Sequence, residues 1–272
     1  MQTQIQELEH RGYAVVRDVF STELAEELRV LTEHHLVATR ERQSDRVPFL
    51  NRDQPMVFNL QAKDRRYLDL LFGVPVLDAI LGHFLNDEWF RAIPEDEPNY
   101  ILRSYLARSS AGQMPMHIDS FVPYGGDFVF IMQAAFILED QTVENGCTVV
   151  VPGSHLRGGY APQDRAEAVP VEARAGDLVL WDSRLWHGAG ENTSAGSRWS
   201  LIATFQRWWL KQAFDIPASL PQEIYAELSP SQKAVLGFCS VPYANEEEGI
   251  DMKRGYDHLP ARLDRSGDVP GR

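Results

Sequence analysis

From Asn99 onward the chain reads as a succession of short strands, and this texture limits its fold more than any other feature. Apolar, β-branched runs at residues 100–107, 128–138, 148–151, 177–181 and 199–207 are separated by turn clusters such as Pro123-Tyr124-Gly125-Gly126-Asp127 and Ala195-Gly196. Such strands need one another to bury a core, and many in a row suggest a double-sheet jelly roll. What precedes them is largely helical. After an apolar run at 13–20, Ser21 can cap a helix on which Leu24, Leu28 and Leu31 repeat at helical spacing. A second helix is expected over 67–84, interrupted by Gly73 and Pro75. The expected fold is therefore mainly β with flanking helices around a jelly-roll core.

With 272 residues, no repeats and no long linker, a single domain is the expectation. Its helical part covers about 1–97, the jelly-roll core about 98–210, and a final segment about 211–272. That last segment is expected to lie over the barrel mouth as a cover. Pro217, Pro221, Pro230 and Gly249 break it into short pieces, and Glu246 to Glu248 put charge at what would be the rim.

A formal net charge of −13 and a pI near 5.0, with no basic stripe, argue against nucleic-acid and anionic-membrane partners. Cys147 and Cys239 stand far apart in no metal-type spacing, which disfavours a disulfide framework. No secretory signal and no membrane-length apolar run is visible, so a cytoplasmic protein, monomer or homodimer, is expected.

The pattern that carries chemistry is His117-Ile118-Asp119 followed seventy positions later by His187, with Arg198 eleven residues beyond. Two imidazoles and one carboxylate suit a mononuclear iron(II) that keeps adjacent positions open for reagents. On an extended strand, His117 and Asp119 would leave the same face, and His187 would come from a distant strand. Arg198 offers a planar fork able to grip a carboxylate, and Ser200 shares its face on an alternating strand. Gln133 is a polar side chain inside an apolar run, expected to face the lumen with Ala135 and Ile137.

Asn145-Gly146-Cys147-Thr148-Val149-Val150-Val151-Pro152-Gly153-Ser154-His155 resembles a stretch of the phytanoyl-CoA dioxygenase family. Trp186-His187-Gly188-Ala189-Gly190-Glu191-Asn192-Thr193, running on to Arg198, resembles another, and Gly12-Tyr13-Ala14-Val15-Val16-Arg17-Asp18-Val19-Phe20 matches the way such chains begin. The resemblance runs from about residue 10 to about 210. It implies a cupin-like double-stranded β-helix core and an enzyme that uses Fe(II), 2-oxoglutarate and O2. Under it His117, Asp119 and His187 hold the metal, while Arg198 and Ser200 hold the distal carboxylate of 2-oxoglutarate. Thr148 stands where some members use a threonine for that same carboxylate, and Gln133 is a further candidate contact. Related halogenases carry a small residue in place of the carboxylate, so Asp119 points to hydroxylation-type chemistry.

The expected activity is oxidation of an unactivated C–H bond of a small molecule, a natural-product or metabolite intermediate, with release of succinate and CO2. Desaturation, ring formation and epimerisation are variants of the same chemistry. The rivals are a cupin-like metal enzyme without 2-oxoglutarate, in which Arg198 would bind an anionic substrate, and a jelly-roll binding module. Phe121, Tyr124 and Trp208 are candidates for substrate contact, with Trp186 and Trp209 as further wall residues. His34, His35, His83, His155 and His258 are read as structural, His155 as a residue that fixes its loop.

Overall fold

The computed structural model describes residues 1–42, 55–87, 98–109, 112–242 and 247. Among them the strands are β1 (Tyr13–Val16), β2 (Met56–Phe58), β3 (Tyr100–Arg108), β4 (Met114–His117) and β5 (Ile131–Ile137), then β6 (Thr148–Val150), β7 (Val169–Val171), β8 (Leu178–Asp182), β9 (His187–Ala189) and β10 (Ser200–Arg207). They form a larger sheet in the order β1-β8-β5-β10-β3-β2 and a smaller one in the order β4-β9-β6-β7. All pairings are antiparallel. From β3 onward the chain passes back and forth between the sheets, the winding of a double-stranded β-helix, and the expected fold class holds.

Alternation along the strands sorts the side chains into two layers. Trp181, Gln133 and Thr204 lie in one cross-strand row, and Val179, Ala135 and Ile202 in the next. These rows face the smaller sheet, where Val150 and Val171 meet Ala135, Ile137, Val179 and Trp181 in a compact inner cluster. The opposite face of the larger sheet carries the larger core. There Leu180, Phe136 and Leu201 pack under helices α2 (Thr22–Arg42), α3 (Arg65–Phe72) and α4 (Pro75–Leu85) through Leu28, Leu68 and Leu81.

Local chemistry explains the helix boundaries. Ser21 caps α2 as expected, its Oγ accepting from Leu24 N–H at 3.2 Å. Asp64 caps α3 by accepting from Arg66 N–H at 2.9 Å. The helix expected over 67–84 is two, bent by 69° where Gly73 ends α3 and Pro75 opens α4. No single described helix is long and apolar enough to cross a membrane. An additional helix, α1 (Gln2–Arg11), precedes β1 and buries only Ile5 and Leu8.

Several strand limits move. The run 13–20 is a strand only to Val16, because the Asp177 carboxylate takes Arg17 Nη1 at 2.5 Å and Asp18 N–H at 3.0 Å and turns the chain away. The run 128–138 enters the sheet at Ile131, since Phe128 instead lies 3.6 Å under the Arg207 guanidinium. β2 and β7 were not expected from sequence, and β4 and β9 only as the strands that His117 and His187 call for.

Three short helices follow β10: α5 (Ile216–Ser219), α6 (Gln222–Ala226) and α7 (Pro230–Val235). Ile216, Ile224, Leu228, Val235 and Phe238 join the helix-side core, and Gln212 Nε2 donates to Leu102 O at 2.6 Å. This described part of the final segment is a packed extension along β3. Of the acidic loop only Glu247 falls within the described residues; Glu246, Glu248, Gly249 and everything after them, His258 included, lie outside.

Candidate metal centre

His117 ends β4 and His187 begins β9, and the two are direct cross-strand partners. Their rings are 4.2 Å apart between centroids. Each Nδ1–H donates to the carbonyl two residues back, Pro115 O for His117 and Leu185 O for His187, both at 2.9 Å. That bond assigns the proton to Nδ1 and leaves Nε2 with a lone pair turned toward the site. Gly188 allows this register, because a Cβ there would stand 2.7 Å from Met114 O.

Asp119 is reached differently from the sequence expectation. The strand stops at His117, and Asp119 sits in a turn whose N–H groups at 119 and 120 both donate to Ser183 O, at 2.7 and 3.1 Å. The turn swings the carboxylate between the imidazoles, with Oδ1 3.4 Å from His117 Nε2 and Oδ2 3.3 Å from His187 Nε2. Trp181 Nε1–H donates to Oδ2 at 3.3 Å and steadies it. One donor atom from each of the three residues lies within 4.8 Å of the others.

The electrostatics favour a cation at this point. Burial works against the Asp119 charge, but when the imidazoles carry a second proton on Nε2 their charge and hydrogen bonds, His187 foremost, outweigh it and hold the carboxyl well below the usual carboxylate range. Burial likewise lowers the His117 pKa, and Asp119 more than reverses it. Two nitrogen lone pairs and a carboxylate aimed at one point repel each other unless positive charge lies among them. A proton can do this in part; a divalent metal does it completely, and the donor set fits iron(II).

The second set of candidates lies at another level of the same interior. Arg198 precedes β10, is 6% exposed, and its Nε has no hydrogen-bond partner among the described residues. Its backbone N–H donates to Ser109 Oγ at 3.0 Å, which fixes where the side chain starts. Burial, reinforced by neighbouring Arg108, pushes the Arg198 guanidinium down to about 10, so it is still charged at neutral pH. Ser200 is the cross-strand partner of Ile137 and Arg108. Thr148 pairs with Ala189, on the same side of its sheet as Val150 and His187. Gln133 is buried beside Trp181 in the larger sheet, its Oε1 accepting from Thr204 Oγ1–H at 2.7 Å.

The aromatic candidates separate. Phe121 follows the Asp119 turn and is 68% exposed. Tyr124 is engaged elsewhere: its ring lies 4.3 Å from Phe130, Arg184 stacks 4.7 Å from it, and its oxygen accepts from Phe130 N–H at 3.1 Å. Burial pushes its hydroxyl up to about 12. Trp209 joins the same cluster, 5.7 Å from Phe130, while Trp208 is half-buried after the end of β10. Trp186 Nε1–H donates to Gly159 O at 2.9 Å and pins that loop. His155 fixes its loop, as expected, by donating from Nε2 to Glu9 O at 3.1 Å.

Two residues of the site were missed from sequence. Arg108, one position beyond the expected strand end at 107, places its charge where Arg198, His117 and Asp119 all feel it. Strand alternation extended by one residue could have found it. Arg165 donates to Ala189 O at 3.1 and 3.2 Å and also to Met114 O, clamping β4 to β9 next to the ligand histidines. No sequence signal marks it.

With the geometry in hand, comparison with known proteins is direct. The family model described as phytanoyl-CoA dioxygenase (PhyH) matches residues 8–200. The dioxygenase himG of Aspergillus japonicus is 27% identical over 264 residues, covering 85% of this chain and 79% of its own. Among solved structures, the epimerase SnoN in complex with Fe3+, alpha ketoglutarate and nogalamycin RO superposes with a TM-score of 0.59 at 21% identity, over 81% of this chain and 90% of that one. HygX from Streptomyces hygroscopicus, with nickel and 2-oxoglutarate bound, gives 0.58 at 17% identity, over 78% and 89%. At these identities the structural likeness speaks for the fold.

Proposed function

The chain belongs to the phytanoyl-CoA dioxygenase family of 2-oxoglutarate-dependent dioxygenases, and from that premise we propose that it hydroxylates an unactivated C–H bond of a small molecule. The observation that carries this reading is the convergence of His117, Asp119 and His187 on one point in the same interior as an unspent arginine, Arg198. When bound, iron(II) with 2-oxoglutarate and dioxygen supplies the oxidant, 2-oxoglutarate being split to succinate and carbon dioxide.

The protein residues hold, orient and exclude. His117 and His187 present Nε2 because Pro115 O and Leu185 O occupy the opposite nitrogens. Asp119 is aimed by Trp181 and by the turn anchored on Ser183 O. Arg198 receives the distal carboxylate of 2-oxoglutarate, with the hydroxyls of Ser200 and Thr148 as further donors. Gln133 spends its oxygen on Thr204 and so keeps its amide N–H groups for a ligand. Ala135, Val150 and Val179 form an apolar lining that keeps water out.

Hydroxylation is the reading for Asp119-bearing members, and the fold also hosts an epimerase, SnoN. A small-molecule substrate in the cytoplasm completes the proposal. The test is succinate release coupled to oxygen uptake, measured with iron(II) and 2-oxoglutarate supplied together and singly. Turnover needing both is expected. Turnover of a substrate with iron(II) but no requirement for 2-oxoglutarate would overturn it.

A further inference from the structure

Three described non-glycine residues have positive φ: Asp18 at 53°, Asn59 at 58° and Phe121 at 61°. Asp and Asn tolerate this region because their short polar side chains can bond locally. A phenylalanine does not. Phe121 is the centre of a three-residue turn in which Val122 N–H donates to Ser120 O at 2.7 Å. With positive φ at its centre this is the rarer and more strained form of that turn. Ser120 Oγ–H donates to Val122 O at 3.1 Å and locks it.

Strain is ordinarily tolerated where the side chain gains burial, and here it gains little. Phe121 is 68% exposed and Val122 63%. Tyr160, 66% exposed, donates from its hydroxyl to Phe121 O at 3.3 Å, so the three form one patch. The place of the patch is defined from both sheets. Phe121 is two residues beyond Asp119, on the smaller-sheet side. Its ring is 5.1 Å from the guanidinium of Arg103, which comes from β3 of the larger sheet and donates to the buried Gln206 Oε1 at 3.0 Å. Phe121 thus spans the opening between the sheets, beside the candidate metal ligands.

We infer that the strained turn exists to hold Phe121 over this opening as a platform for an apolar, ring-bearing substrate, with Tyr160 and Val122 extending it. The reading rests on the proposed function, because the occupant is the molecule whose C–H bond faces the metal. A glycine at 121 would relieve the backbone and, among the described residues, lose no buried contact, only the ring's approach to Arg103 at the rim; the phenylalanine is therefore assigned to a ligand. The patch presents aromatic and aliphatic faces beside the Arg103 guanidinium, an arrangement that suits a flat fused-ring or polycyclic face.

The test uses protein loaded with iron(II) and 2-oxoglutarate without oxygen. Binding of anthracene-9-carboxylate, and separately of glucose and free phenylalanine, is followed by calorimetry. The wild type is expected to bind the anthracene probe and neither of the others. Phe121→Gly is expected to weaken that binding by roughly tenfold to a hundredfold, while its thermal midpoint stays equal to the wild type or rises. Phe121→Trp should restore binding. A lowered midpoint in Phe121→Gly with unchanged probe binding would assign Phe121 to packing and overturn the inference, as would wild-type preference for glucose or phenylalanine. A separate titration of 2-oxoglutarate into the wild type guards the distinction: failure there counts against the proposed function, whereas failure only with the ring probe counts against the platform.

Discussion

Two charged clusters are buried on opposite faces of the larger sheet, and they differ in what they leave over. On the helix side Arg184 grips both oxygens of Asp182 at 2.6–3.2 Å and donates its remaining nitrogen to Gly126 O at 2.5 Å. Arg207 beside it donates to Val129 O, Phe84 O and Asn86 O. A cavity of about 430 Å³ opens there, yet every guanidinium nitrogen already has an oxygen. On the inner side His117, His187 and Asp119 aim their donor atoms at one point, and Arg198 Nε is buried without a hydrogen-bond partner among the described residues. A buried guanidinium whose nitrogens are all bonded specifies structure; one that keeps an unbonded nitrogen beside a converging donor set suits an anionic ligand. The difference locates function better than the size of a cavity does.

The sharpest way to break this contrast is His187→Ala. Removing one of the three converging donors should lower bound iron and reduce succinate formation by more than about a hundredfold, beyond the usual cost of losing an outer hydrogen-bond partner. The fold should persist, because the donor serves the centre and not the core. Metal analysis and circular dichroism on the same sample check both halves, and full activity would remove His187 from the site.

The two arginines should then fail in opposite ways. Arg184→Ala leaves Asp182 buried and uncompensated, so stability should fall by about 3–5 kcal/mol, read as a lower denaturant midpoint. Arg198→Ala strands no partner and relieves Arg108, so stability should be unchanged or higher. Its cost should appear in the requirement for 2-oxoglutarate, weakened by roughly 2–5 kcal/mol, or about thirtyfold to several thousandfold. If Arg198→Ala destabilises as much as Arg184→Ala, Arg198 belongs with the structural cluster.

What could be read from sequence follows the same division. β5 and β8 are legible because burial on both faces makes them nearly continuous apolar runs, β10 because apolar Leu201, Ala203 and Phe205 alternate with the polar side chains at 200, 204 and 206, and β3 because its apolar residues outnumber Arg103, Ser104 and Arg108. β4 and β9 are not legible in this way, because they span three or four residues and spend them on His117, His187, Pro115 and Gly188, whose types serve the site and not the sheet. The pairing of His117 with Asp119 was legible, but the reason was not: a turn held by Ser183 O, and not strand alternation, brings the carboxylate round. Arg165 and the strain at Phe121 depend on contacts or dihedrals that only the folded chain displays.

The smallest expected effect sharpens the comparison on its structural side. His155 belongs to the helix-side cluster, 3% exposed, with Nε2–H donating to Glu9 O and Nδ1 packed against Gly12 without a hydrogen bond. Burial, aided by Arg184 and opposed by Asp182 and the Glu9 carbonyl, lowers its pKa below the ordinary 6.5. The unfolded chain therefore takes up this proton at a higher pH than the folded chain does. Between the two values the unfolded state binds more protons, so stability is fully present above about pH 6.5 and declines as pH falls below it, by at most about 1.4 kcal/mol per pH unit from this group. His155→Gln keeps a donor for Glu9 O but cannot titrate. Its denaturant midpoint should fall less steeply than that of the wild type between pH 7 and pH 5, and the difference in slope isolates His155 from the other histidines. Parallel slopes would mean that the buried imidazole is protonated as readily in the folded chain as in the unfolded one, and the helix-side cluster would then tolerate a charge that its burial should refuse.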